Sequence, residues 1–281
     1  MIHCMIDAMR RTALASVAGA MVAALPLAAT AQEKTPMDPR LTTPGVLTVG
    51  TGDPVYPPWM LNNDPAGGEG FENGLVYALA EEMGFSRDQV VWIGQTFDQA
   101  IAPGAKPYDF AIQQISVTEP RKQIVSFSQV YFQPDKAIIA LPGTDAETAA
   151  SFEDLKALRW GAVIGTTDND YLVNILGISD AAIYNEQVDV FQALQAGQID
   201  ATLASLPTAL YMTAVQVPEA GIVALLPADE NDNGHGLLFE FESPLVPWVD
   251  EALSAIIERG VVDELIDTYL VANPDLAIIS E

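Results

Sequence analysis

The chain has 281 residues, 49% of them hydrophobic, enough for one large domain or two lobes with separate cores rather than a disordered polymer. Its 38 acidic residues against 12 Lys and Arg give a formal net charge of −26, a field that repels DNA, RNA and anionic lipid headgroups and argues against a nucleic-acid partner. One cysteine and two histidines exclude thiolate zinc sites and clustered-histidine metal sites, and no cofactor is expected.

The first residues read as a processing signal. Arg10 and Arg11 form a positive n-region, Thr12 to Ala28 an apolar stretch broken at Pro26, and Ala29-Thr30-Ala31 a small-x-small cleavage site. The stretch is short for a membrane span, so residues 1–31 are expected to be a cleaved secretory peptide, with Met9 an alternative start. Cleavage removes Cys4 and His3 and leaves His235 as the sole histidine. The remainder carries 10 Lys and Arg against 37 acids, a net charge of −27, which reads as a solubility or salt adaptation of the surface.

Residues 32–44, with three prolines, are expected to form a flexible leader. Val46 to Thr51 reads as a buried parallel strand. Gly52-Asp53-Pro54-Val55-Tyr56-Pro57-Pro58-Trp59 is too rich in proline for helix or central strand, and is placed as a stiff loop at that strand's carboxyl end. Asn62 to Gly70 is read as a surface hairpin. A helix over Glu72–Met83 has Leu75, Leu79 and Met83 on one face and Gly84 behind it. Strand Val90–Ile93, a short helix near Phe97–Ile101 and a buried strand Tyr108–Ile112 complete a βαβαβ series, the pattern of a parallel sheet with helices on its faces.

Next comes Gln113-Gln114-Ile115-Ser116-Val117-Thr118-Glu119-Pro120-Arg121. Thr118 is a good helix N-cap and Pro120 falls in the first turn. A helix opening here would aim free N–H groups and the positive end of its dipole beyond the strand. Arg121 adds a guanidinium fork suited to a carboxylate, which makes an anion cradle. The alternative is an Arg paired on the surface with one of the many acids.

Extended segments Val125–Tyr131 and Lys136–Leu141 flank Gln133-Pro134-Asp135. A second α/β series follows. It runs through helix Phe152–Leu158, strand Trp160–Ile164, loop Gly165–Asp168, helix Tyr171–Leu176, strand Ala181–Tyr184 and helix Val188–Ala196. Strand Ile199–Leu203, helix Leu206–Gln216 and strand Ile222–Leu226 close it. Pro227 to Gly236 is a second polar linker, then strand His235–Phe241 and helices Pro244–Arg259 and Val261–Leu270. Two lobes are therefore expected, residues 45–133 plus 234–281 and residues 136–228, with hinges near 131–136 and 228–235. Ligand sites in such sheets lie beyond the carboxyl ends of strands, where the loops at Asp53, Ser116 and Thr166 fall.

At this point the chain resembles the periplasmic solute-binding proteins of polar amino acid ABC importers, the extracellular solute-binding proteins of family 3. The resemblance covers about Gly45 to Leu270. It rests on Gly45-Val46-Leu47-Thr48-Val49-Gly50 with the Tyr56-Pro57-Pro58-Trp59 loop, and on Gly70-Phe71-Glu72. It rests most of all on Ser116-Val117-Thr118-Glu119-Pro120-Arg121 with Phe127-Ser128 and Tyr131, and on the tail from Ser243-Pro244-Leu245 to Leu265.

The resemblance implies a two-lobed α/β periplasmic-binding-protein fold (type II), each lobe a parallel-rich sheet flanked by helices. It implies that Arg121 clamps a ligand α-carboxylate, helped by Ser116 and the backbone around Gln114. Tyr56 and Phe97 would wall the side chain, with Asp53 near the ammonium or a polar side chain. Thr166, Thr167 and Asp168 would meet the ligand from the second lobe. The family usually places an Asp after the strand that follows Gly197-Gln198-Ile199-Asp200-Ala201, and here Ser205 stands there. A hydroxyl accepts a hydrogen bond from an ammonium without neutralising it. Either Asp53 or Asp168 supplies the missing charge, or the ligand is not a standard α-amino acid.

The implied function is a periplasmic receptor that hinges shut on an amino acid or related small carboxylate and is presented, as a monomer, to an inner-membrane ABC permease. A secreted dehydratase-like enzyme would use the same Arg but needs a positioned acid or base, for which Glu72, Asp168 and Asp53 are the candidates. A periplasmic sensor partner would bind in the same way. Trp59 reads either as a cleft-lining aromatic or as a hydrophobic plug, Trp92 and Trp160 as core, Glu72 as a partner of the helix dipole, Asp200 as structural, and His235 as a hinge hydrogen-bonding group.

Overall fold

Alternating apolar residues dictate two sheets, each buried on both faces. The structure, a computed structural model, describes residues 34–270 and 276–280. The expected signal peptide lies outside those residues.

The first lobe begins with β1 (Leu47–Gly52), buried along its whole length. Helix α1 (Phe71–Glu82), β2 (Val90–Gln95), α2 (Phe97–Ile101), β3 (Phe110–Ala111), the single-turn α3 (Glu119–Lys122) and β4 (Ser126–Phe132) follow. The chain then enters the second lobe through β5 (Lys136–Ala140), α4 (Phe152–Leu155), β6 (Trp160–Val163), α5 (Thr167–Asp170), β7 (Ala182–Tyr184), α6 (Gln187–Gln195), β8 (Ala201–Ser205), α7 (Leu206–Tyr211) and β9 (Gly221–Leu226). It returns as β10 (His235–Phe239), α8 (Val246–Glu258) and α9 (Val261–Tyr269).

The sheet orders are β2-β1-β3-β10-β4 and β7-β6-β8-β5-β9. In each, four strands share one direction and one runs against them, β10 in the first lobe and β5 in the second. These reversed strands are the ones that carry the chain into each sheet after it leaves the other. Period-2 alternation divides each sheet between two cores. Leu237 and Phe239 face one core of the first lobe and Leu238 the other. Ile138 and Ala140 face one core of the second lobe, and Ala137 and Ile139 the opposite one.

Several expectations need correction. The described leader packs down from Asp38 onward. Arg40 pairs with buried Asp38 and donates to the Pro244 carbonyl at 3.0 Å, while Leu41 joins the first core. Buried Asp109 fixes the leader's entry by accepting from the backbone N–H groups of Thr42 at 2.6 Å and Thr48 at 2.7 Å. Asn62 to Gly70 is no hairpin. It holds a 3-10 turn, Pro65–Gly67, capped by the Asp64 carboxylate, and both Asn62 and Asn63 take positive φ. The helices after α5 and α7 continue as π-helical turns, Tyr171–Ile175 and Met212–Gln216.

The tail departs from the expected lobe division. Leu225 on the edge strand β9 donates to the Ala277 carbonyl at 2.8 Å, and Ile279 donates to the Leu225 carbonyl at 3.0 Å. The open edge of β9 is thus satisfied by residues 276–280, which belong to the second lobe rather than the first.

Gly70 sets the start of α1. Its φ of 118° lies in the left-handed range, and a Cβ there would stand 2.4 Å from the Trp59 carbonyl oxygen. The same approach lets the Pro58 and Trp59 carbonyls accept from the free N–H groups of Phe71 and Glu72, both at 3.0 Å. Gly70→Ala should cost roughly 2 kcal/mol or more. Gly221→Ala, where a Cβ meets open space, should stay within about 0.5 kcal/mol. Urea midpoints check both, and a neutral Gly70→Ala would refute the close approach.

Candidate functional site

The loops at the carboxyl ends of β1, β2, β3, β6, β7 and β8 converge on one cavity of about 230 Å³ between the lobes. A single water needs roughly 10–15 Å³ on that measure, so a small organic molecule fits. All ten residues singled out from the sequence line it: Asp53, Tyr56, Phe97, Gln114, Ser116, Arg121, Thr166, Thr167, Asp168 and Ser205.

After β1 the proline loop is pinned where Val55 N–H donates to Asn63 Oδ1 at 2.8 Å. Trp59 fills both roles the sequence left open. It is 2% exposed and packs edge-on against Phe71, Phe132 and His235, yet it also borders the cavity. Its Nε1 donates across the cleft to Thr208 Oγ1 at 2.8 Å. Tyr56 faces Phe191 of α6 with ring centroids 6.3 Å apart. Phe97 opens α2 behind a Thr96–Gln99 capping box.

Gln114 has φ of 50°, a strained setting for a non-glycine residue. Glu72, fully buried in the first turn of α1, holds it there. The carboxylate accepts from Gln114 N–H at 2.8 Å and from the Gln114 side-chain amide, and also from the Tyr131 hydroxyl at 2.5 Å. Burial outweighs these donors and pushes the Glu72 carboxyl up to about 7. The expected role of Glu72 as a dipole partner is therefore secondary to its role beneath Gln114.

The helix dipole expected at Thr118 is small, because α3 is a single turn. Thr118 does cap it, accepting from Arg121 N–H at 3.3 Å. The donors come from the guanidinium itself. Arg121 Nη1 donates to the Ser116 carbonyl at 2.7 Å, and Nη2 donates to the Gly165 carbonyl of the second lobe at 2.8 Å. The group lies 5.3 Å from the Phe97 ring centroid. Burial lowers its pKa while Asp232, Asp170 and Asp168 oppose that shift. The surface ion pair considered from the sequence is not formed, since Arg121 is buried. Two of five guanidinium N–H donors are used by these carbonyls.

Ser116 Oγ donates to Asp232 Oδ2 at 3.0 Å and lies 3.3 Å from Thr167 Oγ1. On the second lobe Thr166 caps α5, accepting from Asn169 N–H at 3.3 Å and donating to the Val163 carbonyl at 2.8 Å. Asp168 pairs with Lys136. Ser205 is tied to Thr208 at 3.0 Å, within the chain that Trp59 completes. Among the described residues the His235 ring makes no hinge hydrogen bond. Its Nδ1 has no partner, and burial lowers its pKa to about 4.

Sequence reasoning passed over Lys136, Glu186, Phe191, Thr208 and Tyr211, all in the cavity wall. Glu186 was within reach of the rule that sites lie beyond strand ends, since it stands two residues past β7 and immediately before α6. The Glu72 carboxyl generates a pH prediction. Its folded-state pKa lies above the ordinary carboxylate value, so the native state keeps a proton that the unfolded chain gives up. Stability from this group is full at low pH and is lost as pH rises from about 4.5 through about 7, by up to about 3 kcal/mol. Unfolding curves across that range should show the wild type losing stability relative to Glu72→Gln, and parallel pH profiles would contradict it.

The model of bacterial extracellular solute-binding proteins, family 3, matches residues 47–272. The arginine-binding periplasmic protein of Mannheimia haemolytica is 27% identical over 224 residues, 78% of this chain and 89% of the relative. A probable histidine-binding protein of Campylobacter jejuni is 27% identical over 228 residues, 80% of this chain and 83% of the relative. Among solved structures, an ancestral arginine-binding protein bound to glutamine superposes with a TM-score of 0.69 at 26% identity, covering 81% of this chain and 99% of its own. The interlobe cavity and the motif around Arg121 are thus set in a match that spans both sheets, and the chain belongs to the bacterial extracellular solute-binding proteins of family 3.

Proposed function

We propose that this protein is a periplasmic substrate-binding receptor of an ABC importer that captures a polar amino acid in its interlobe cleft by hinge closure. The observation that carries the reading is Arg121, a buried guanidinium at the meeting point of both lobes with donors to spare. A ligand carboxylate is its natural complement, because a charge-assisted fork satisfies the remaining N–H groups and neutralises a desolvated cation. Ser116 and the backbone at Gln114 flank that position. Tyr56 and Phe97 wall the ligand side chain, while Thr166, Thr167 and Asp168 face it from the second lobe.

Closure follows from contacts that draw on both lobes. Arg121 to Gly165, Ser116 to Thr167 and Trp59 to Thr208 all span the cleft, and a ligand held by groups from both sides favours the state in which they meet. The receptor is read as a non-enzyme. Glu72, whose burial pushes its carboxyl up to about 7, has both oxygens occupied by Gln114 and Tyr131 and is not presented as a free base. Periplasmic location rests on the signal-like residues 1–31 and on relatives named as periplasmic. Among the described residues no helix is long and apolar enough to cross a membrane. An inner-membrane permease is the partner, and the receptor acts as a monomer.

A thermal-shift screen of the twenty amino acids identifies ligands, since one present at a hundred times its Kd adds about 2.7 kcal/mol of stability. Arg121→Ala should abolish that shift while still unfolding cooperatively. Undiminished affinity in this variant would defeat the carboxylate assignment.

A further inference from the structure

The carboxylates of the cavity wall divide into those already engaged and those left open. Glu72 accepts three hydrogen bonds and Asp168 pairs with Lys136. Asp232 accepts from Ser116 Oγ at 3.0 Å and from Gly234 N–H at 3.0 Å. Asp229 accepts from the backbone and side chain of Asn231, and Asp135 has a partner of its own. Among the described residues of the wall, Asp53 and Glu186 remain with neither a hydrogen-bond donor nor a cation.

These two stand on opposite lobes. Asp53 is in the loop after β1, and Glu186 joins β7 to α6. Glu186 occupies the N-cap position of α6 but makes no side-chain cap, so its carboxylate is not spent on its own helix. One turn along α6, Phe191 meets Tyr56 edge-on, which brings the start of that helix opposite the Asp53–Tyr56 loop. The Glu186 charge reaches the Tyr56 hydroxyl, which burial and then Glu186 raise in pKa. Tyr56, Phe191 and Tyr211 form an aromatic sleeve suited to an aliphatic stem.

Granting the amino-acid reading above, we propose that Glu186 is a specificity-determining residue. With Asp53 it meets the two positive centres of an α-amino acid that carries a cationic side chain and whose carboxylate lies on Arg121. The charges then balance: one carboxylate on one guanidinium, two cations on two carboxylates. A neutral ligand closes the cleft over an unpaired carboxylate, and that uncompensated desolvation is the source of discrimination.

L-arginine and L-citrulline share a shape and differ in the side-chain charge, which makes them the test pair. Calorimetric titration should show the wild type preferring L-arginine by about tenfold or more, the scale of a partly buried charge pair. Glu186→Gln should lose most of that preference. Asp189→Asn removes a charge in the same helix turn but outside the wall, and should keep the preference. The Glu186 side chain makes no hydrogen bond among the described residues, so a melt of the unliganded variant should match the wild type. Equal preference in Glu186→Gln, or equal loss in Asp189→Asn, would overturn the assignment. Tight binding of neutral amino acids only would overturn it while leaving the receptor reading intact. Failure of every amino acid to bind would sink both.

Discussion

A buried cation with too few partners is the constraint around which this molecule is arranged. Moving a guanidinium out of water costs several kcal/mol in effective terms unless charge and hydrogen bonds replace what water supplied. Arg121 receives two carbonyls, one from each lobe, and diffuse attraction from Asp168, Asp170 and Asp232. The Gly165 carbonyl is available only when the lobes approach. An anion at the same point and the closed arrangement therefore stabilise each other, which is how a binding event becomes a change of shape.

The remaining groups of the cleft follow from that placement. Most carboxylates of the cavity wall are engaged locally: Asp168 pairs with Lys136, Asp229 accepts from Asn231, and Asp232 accepts from the Gly234 N–H. Glu72 is the extreme case. It lies close enough to Gln114 to hold a left-handed backbone, and its burial lifts its pKa so far that its charge is easily given up. Trp59 solves a different problem. One face seals the hydrophobic core of the first lobe, and its indole N–H reaches Thr208 on the other side.

Much of this was legible in the sequence, for identifiable reasons. The strand and helix order follows from short-range apolar periodicity, and the rule that sites lie beyond strand ends picks out the loops at Asp53, Ser116 and Thr166. The ten individual residues came from the family resemblance, and all of them line the cavity. What was not legible depends on distant partners. Nothing local in residues 35–44 announces that Asp109 will accept from Thr42 N–H, so the leader read as loose. Nothing in the tail says that Ala277 will meet the open edge at Leu225. The hairpin expected at Asn62 came from turn-forming composition, which also suits the 3-10 turn that Asp64 caps. Glu186 had the right position but no motif around it, and only the inventory of engaged carboxylates sets it apart.

Closure driven through Arg121 can be measured between the lobes. The only cysteine is Cys4, so in a version of the protein expressed from Gln32 onward, spin labels on Asp98→Cys of α2 and Asn185→Cys after β7, both exposed, report one distance between the lobes. Pulsed electron paramagnetic resonance should show that distance distribution collapsing to a single short value when the amino acid ligand is added, and not doing so with Arg121→Ala. An unchanged distribution on ligand binding, or the same collapse without Arg121, would contradict the account.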